Sequence, residues 1–236
     1  MVIGVIGALE NEIVYLVNKL CNMEKINVHN SFILYRGSLS DNDIVIACSG
    51  MGKVNSSACT QMLISLFGVE RILNIGIAGS LDDEIAVGNI VISSDALCYD
   101  FDLSEVGCPV GYVPGLGTLT YKSDEELLQI AEKLGEKIFS NAKIRIGRFL
   151  SGDRFVANDN LRKKLHQMFS GACVDMESGS IAQVSYINKI PYLVIRGISD
   201  SADSKANDVF HYKKDETIYE CSILVENILK YNFDKK

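Results

Sequence analysis

Two periodicities run through this 236-residue chain, and the points where one gives way to the other mark its elements. Residues 2–6 form a short apolar run broken by a glycine, and residues 9–21 take up helical spacing. Residues 31–39 and 43–48 read as strands; the second is apolar without interruption, the pattern of a central strand buried on both faces. The SGMGK turn at residues 49–53 leads into a helix over 54–67. Residues 71–77 form another buried strand, ending in a glycine-rich turn, Gly76-Ile77-Ala78-Gly79-Ser80, and residues 87–93 and 96–100 continue the strand pattern. Residues 107–117 collect most of the prolines with several glycines and are expected as a long irregular loop.

Ser123 followed by Asp124, Glu125 and Glu126 is a helix start, with acid at the positive end of the helix dipole; that helix runs to about Phe139. Strand 143–150, helix 159–169, strand 172–175, helix 178–188, strand 192–198 and a last helix to about Leu229 follow. Strands and helices alternate with no break in composition. The pattern predicts an α/β fold: a single-domain three-layer αβα sandwich over residues 1–236, with a central mixed, mostly parallel sheet.

Composition narrows the function classes. Hydrophobic residues make up 47% and charged residues 22%, which sets the chain apart from disordered sequences. A net charge of -7 and the lack of a dense basic run argue against nucleic acid as a partner. The short cluster Arg162, Lys163 and Lys164 reads as the solvated face of a helix. Seven cysteines, an odd number without a Cys-x-x-Cys pair, suit reduced thiols in the cytoplasm. His29, His166 and His211 lack metal-ligand spacing, so no metal site is expected. The N-terminus has no basic region before its apolar run, and no apolar stretch reaches the roughly 20 residues of a membrane helix.

Candidate chemistry sits at the ends of strands, where open α/β sheets place their ligands. In PYLVIRGISD, charge appears where the strand runs out: Arg196, then Ser199 and Asp200. An ion pair between Arg196 and Asp200 is one reading of this segment and a site is the other. Glu10 and Glu12 follow the first strand, where they either stabilise a helix N-terminus or offer a carboxylate to polarise a water. Asp175-Met176-Glu177 opens a helix after a short strand; Glu177 is able to accept from two vicinal hydroxyls, and Asp175 is able to cap the helix. Phe155, after another strand, is either a core aromatic or a stacking platform for a flat ligand, with the Val156 backbone beside it for a base edge. Gly50-Met51-Gly52-Lys53 is not a phosphate loop, since Ala47 and Val54 stand where Gly and Ser/Thr are required. Gly4 and Gly7 make only half of a dinucleotide fingerprint. Together the pieces describe a site for cleaving a purine nucleoside at its glycosidic bond through an oxocarbenium-like state. Asp200 would serve as acid for the base, Glu12 for the water and Glu177 for the sugar.

IGVIGALENE, SGMGKVN, NIGIAGSL, LSGDRF, VDMES and VIRGISDSAD occur in this order across essentially the whole chain. In these motifs the chain resembles the 5′-methylthioadenosine/S-adenosylhomocysteine nucleosidases, within the purine nucleoside phosphorylase-like superfamily. The resemblance implies hydrolysis of the N-glycosidic bond without a cofactor, releasing adenine and a 5′-thioribose. It implies Glu12 as activator of the water and Asp200, helped by Ser199, as proton donor to N7 of adenine. Met176 and Glu177 match the ribose contacts, Arg196 the water side near Glu12, and Phe155 and Val156 the adenine contacts. Phe210 falls where the family places an apolar residue over the 5′-alkylthio group. Asp175 and Gly79 lie within the matched motifs as binding positions, with Ile77 where many relatives carry a serine. Leu9 replaces a common methionine, and the loop at Cys108 and Pro109 lacks the aromatics often found there. The resemblance also implies a homodimer, with the loop at 107–117 closing the partner's 5′ pocket.

Three other readings stay open at this point. They are a phosphate-dependent phosphorylase, a nucleosidase of futalosine type, and a nucleoside-binding homologue without turnover. Water is favoured over phosphate as acceptor because Glu10 and Glu12 would repel an anion at the first turn. If Arg196 paired with Asp200 it would oppose the proton that Asp200 needs, so Arg196 is expected to face Glu12.

Overall fold

The computed structural model describes residues 1–28, 32–139, 143–203 and 206–233, the side chains of 206–214 excepted. In chain order the elements begin with β1 (Val2–Gly7), α1 (Glu10–Val17), β2 (Cys21–Val28), β3 (Phe32–Leu39), β4 (Asn42–Cys48) and α2 (Lys53–Phe67). β5 (Arg71–Ser80), β6 (Ile90–Cys98), β7 (Tyr121–Lys122), α3 (Glu125–Ile138) and β8 (Ile144–Ser151) come next. α4 (Asp159–Phe169), β9 (Gly171–Asp175), α5 (Ser178–Asn188), β10 (Tyr192–Asp200) and α6 (Ala206–Leu229) complete the chain.

Side chains alternate across a strand, and here both faces are apolar, so successive residues enter two different cores. Val5 of β1, Ile46 of β4, Leu73 of β5 and Ile195 of β10 pack under α1, α3 and α6. Their neighbours Ile6, Val45, Ile72 and Val194 face the opposite layer, under Leu63 of α2 and Ile181 of α5. This is the expected αβα arrangement around a mixed sheet. Each fully buried aliphatic side chain contributes roughly 1.5–3 kcal/mol through removal from water, and such residues fill the sheet centre from Ile3 to Ile195.

The strand order is β10-β6-β8-β9-β5-β1-β4-β3-β2, and β10 also pairs with β5. Strands β5, β10, β6, β8 and β9 therefore close into a ring, with the sheet continuing outward from β5 through β1 and β4. The closure matters for the site. It sets Arg196 beside Gly76 and Asp200 beside Gly79 across the β10–β5 pair, Gly79 opposite Val174 of β9, and Ser151 beside Asp175.

Four expectations change in detail. The first helix stops at Val17, and β2 follows where its end was expected. β2 is nearly all exposed at the sheet edge, so it carries no apolar alternation to betray it. Residues 87–93 and 96–100 are not two strands but one, β6, with a register shift between Ser93 and Asp95. The polar break that suggested a gap is a bulge, and Ser93 Oγ there accepts the Val194 amide at 2.9 Å. Asp124, rather than Ser123, caps α3, accepting the Leu127 amide at 2.9 Å. Finally, the glycine-rich segment 76–80 is not a turn: β5 continues through Ser80.

Candidate active site

Glycine in β5 serves close approach rather than chain reversal. A Cβ on Gly76 would stand 1.9 Å from Arg196 Nη1 and 2.5 Å from Glu12 Oε1. On Gly79 it would stand 2.8 Å from Asp200 Oδ1. Two missing side chains thus make room for an arginine and two carboxylates. Between them, Ile77 is half-buried, and its backbone amide faces Glu12 and favours the ionised carboxylate.

Glu12 occupies the first turn of α1 and is 2% exposed. Its Oε2 accepts the amides of Ala8 at 2.7 Å and Leu9 at 2.9 Å, at the end of β1. These bonds hold the carboxylate over the strand end with its other oxygen toward Arg196. Burial raises its pKa above the ordinary range; the Arg196 charge and the amides of Leu9, Ala8 and Ile77 pull the other way.

Arg196 is fully buried in mid-strand, not near a strand end as expected, because β10 extends to Asp200. Its Nε donates to Asp175 Oδ2 at 2.9 Å, Nη1 to the Ile75 carbonyl at 2.7 Å and Nη2 to Asn74 Oδ1 at 2.8 Å. Glu177 Oε2 lies 3.5 Å from Nη2. Burial alone would lower the Arg196 pKa, but Asp175, Glu177 and Glu12 more than offset it. One guanidinium thus faces three buried carboxylates, and full ionisation would leave the cluster at a net -2.

Asp200 is four residues further along the strand, roughly 13 Å at about 3.3 Å per residue. Among the described residues no Arg196–Asp200 ion pair forms, which agrees with the expected separation of their charges. Asp200 is 2% exposed, and its carboxylate accepts the Ser199 hydroxyl and the Ala202 amide, each at 2.8 Å. Burial raises its pKa, against these two hydrogen bonds.

Asp175, a binding position in what the matched motifs implied, is engaged by the protein itself, as its helix-capping reading expects. Its oxygens accept from Ser151 Oγ, Ser178 Oγ, Arg196 Nε and the amides of Glu177 and Ser178. With its acceptor sites filled by the protein, it is an anchor for Arg196 and for the start of α5. Glu177 is 6% exposed and takes the Gly52 amide on Oε1 at 2.9 Å. Burial lifts its pKa to about 7, with Arg196 opposing and Asp175 adding to the rise. Met176 beside it is half-buried. The SGMGK turn, set aside as a phosphate loop, therefore does point an amide at an anion, and the anion is Glu177.

Phe155 is 47% exposed at the loop after β8, while the Val156 side chain is buried with Leu81, Tyr99 and Ala202. The Phe210 backbone lies in α6, and its side chain falls outside the described residues. Loop 107–117 is irregular, as expected. It runs beside an open groove of about 700 Å³ lined by Val54, Ala58, Phe101, Val113 and Val184. Sequence reasoning missed Asn74, Ser151 and Ser178. The signal for Asn74 was available: it is the one polar residue inside the apolar run 72–78, and it is fully buried.

Acidic groups on adjoining strand ends, with no cation beside the outermost one among the described residues, have the charge pattern that cleavage of a glycosidic bond calls for, on a nucleoside phosphorylase fold. The chain matches the model of the phosphorylase superfamily over residues 2–230. It is 38% identical over 230 residues to the 5′-methylthioadenosine/S-adenosylhomocysteine nucleosidase of Staphylococcus haemolyticus, covering 97% of this chain and 99% of that one. The nucleosidase of Neisseria meningitidis, solved with methylthio-immucillin-A, superposes with a TM-score of 0.93 at 32% identity over 97% of this chain and 98% of the other. The futalosine hydrolase of Helicobacter pylori superposes with a TM-score of 0.91 at 28% identity, covering 97% of each chain. This chain belongs to the phosphorylase superfamily and, within it, to the family of the 5′-methylthioadenosine/S-adenosylhomocysteine nucleosidases.

Proposed function

We propose that this chain hydrolyses the N-glycosidic bond of 5′-methylthioadenosine and S-adenosylhomocysteine, releasing adenine and the 5′-thioribose. The observation that carries the reading is the pair of buried carboxylates set apart along the sheet, Glu12 beside the Arg196 charge that favours its ionised form and Asp200 shifted by burial toward holding a proton. Glu12, held by two amides beside Arg196, binds a water and takes its proton as the oxygen attacks C1′. Asp200 passes a proton to N7 of adenine as the bond to the base breaks, and Ser199 then hydrogen-bonds the ionised form. Glu177 accepts from the ribose hydroxyls, with Met176 against the sugar. Phe155 stacks on the base and the Val156 backbone meets its edge. Positive charge develops on the sugar in the transition state, and the excess of carboxylates over cations around Arg196 stabilises it. No step requires a metal or a redox group.

Phosphate as the acceptor is disfavoured by the same charge balance, since a dianion would meet Glu12 and Glu177 with Arg196 already engaged. The reading includes a homodimer in the cytoplasm, with loop 107–117 near the partner's 5′ pocket and Phe210 over the 5′ substituent. Exposed Val54 and Val106 support a partner on that face, at 78% and 74% exposure. No helix among the described residues is long and apolar enough to cross a membrane.

Base release from methylthioadenosine, S-adenosylhomocysteine, adenosine and inosine, with and without phosphate, tests the reading. Phosphate-independent adenine release, fastest from the two thio substrates, is expected. Strict phosphate dependence with a sugar 1-phosphate product would overturn hydrolysis. Preference for a futalosine-type nucleoside would overturn the substrate, and tight binding without turnover would overturn catalysis.

A further inference from the structure

Asn74 has no place in the chemistry above, yet it is a fully buried polar side chain inside an apolar strand. Such a group persists only when its hydrogen bonds are made, and here they are made in one orientation. Nδ2 donates to the Ile6 carbonyl at 2.8 Å, which turns Oδ1 toward the cluster. Oδ1 then accepts Arg196 Nη2 at 2.8 Å and the Ser178 hydroxyl at 3.3 Å. The same Nη2 is 3.5 Å from Glu177 Oε2. A carboxylate is normally the stronger acceptor for a guanidinium, but the neutral amide holds the shorter bond.

We propose that Asn74 is a positioning residue that keeps the Arg196–Glu177 ion pair long, at 3.5 Å, so that this carboxylate retains acceptor capacity for the sugar instead of closing into a short, fully engaged pair. Arg196 is fastened on three sides, by Asp175, the Ile75 carbonyl and Asn74. Nη2 has two further, longer contacts, the Ser178 hydroxyl at 3.4 Å and Glu177 Oε2 at 3.5 Å, and releasing Asn74 lets the guanidinium swing toward the charged one. The inference rests on the reading of Glu177 as the sugar contact. The groups that face Glu177 are Arg196 from β10, Asp175 from β9, Glu12 from α1 and the Gly52 amide before α2. Its proton affinity reports on how closely Arg196 approaches.

The test uses two substitutions with different predicted outcomes. Asn74→Leu removes the acceptor at similar volume, Arg196 closes on Glu177, and the Glu177 titration midpoint falls by about one pH unit. Asn74→Asp keeps an acceptor for Nη2, while its second oxygen faces the Ile6 carbonyl and satisfies it only by keeping a proton, so no charge is added and the midpoint stays near the wild-type value. The readout is the carbonyl-carbon NMR shift of ¹³C-labelled glutamate side chains, with Glu177 assigned by its loss in Glu177→Gln. In Asn74→Leu the KM for methylthioadenosine rises about tenfold with a smaller change in kcat. A 3′-deoxy analogue loses that sensitivity. A purely structural role would move both midpoints the same way or neither, and either result overturns the proposal. If Asn74→Leu does not fold, Asn74→Ser, too short to reach Nη2, carries the same prediction. The titration needs no turnover, so a wild type inactive on thioadenosines would count against the proposed function while leaving this test standing.

Discussion

Glu12 and Asp200 are equally buried, and burial raises the proton affinity of both. Their surroundings differ. Glu12 shares one guanidinium with Asp175 and Glu177, so its charge is tied to a network in which each member depends on the others. Asp200 is held by one hydroxyl and one amide, with no cation among the groups that shift it. A general base must be ionised to take a proton and benefits from a nearby cation. A general acid must hold a proton, and a cation would strip it. The strand separates the two requirements by about four residues.

The comparison can be broken first at turnover. Asp200→Asn is expected to lower kcat for adenine release by about 10²–10⁴-fold with little change in melting temperature, since no charged partner loses its counterpart. A large loss of stability would mean that Asp200 belongs to a network after all. Next in size is Arg196→Met. Removing the cation from three buried carboxylates should cost about 3–5 kcal/mol, read as a lower urea midpoint. A cost below about 1 kcal/mol would show that the carboxylates already hold enough protons to do without it.

Smaller, and signed by pH, is Glu177→Gln. The folded-state value of about 7 lies above the ordinary 4.5. Below 4.5 both folded and unfolded chains hold the proton, and the favourable contribution is complete. As the pH rises through 7 it is lost. The variant should therefore melt higher than wild type at pH 8 and show no such advantage near pH 4.5; the reverse order would contradict a raised Glu177. The smallest effect is expected from Ser199→Ala, which removes one donor to ionised Asp200. A loss of about 0.5–1.5 kcal/mol in kcat/KM should accompany a pH optimum displaced upward, and an unmoved optimum would place Ser199 outside the proton's path.

Regular elements were the most legible part of the chain. Helices at 159–169 and 178–188 follow the sequence pattern to the residue; the first is amphipathic and capped by Asn158, and both signals are local. Edge strand β2 was not legible, because an exposed strand has no buried face to impose alternation. At the site, the carboxylates at strand ends were visible as departures from apolar runs. Of the two readings of Asp175, capping is visible in its bonds to the Glu177 and Ser178 amides, but its ties to Ser151 and Arg196, up to 24 residues away in the chain, were not legible. Asn74 was passed over because its one signal, a polar residue in an apolar strand, needs a partner to acquire meaning.

By itself the sequence determined the layered α/β architecture and its family, because apolar periodicity and the ordered motifs are properties of neighbouring residues. Tertiary structure alone decided which charges meet. Pairing of β5 with both β10 and β9 closes the strand ring, and that closure sets Arg196 over Gly76 beside Glu12 while Asp200 over Gly79 meets no cation among the described residues. Charge interactions depend on distance through space and on burial, and neither is written in spacing along the chain.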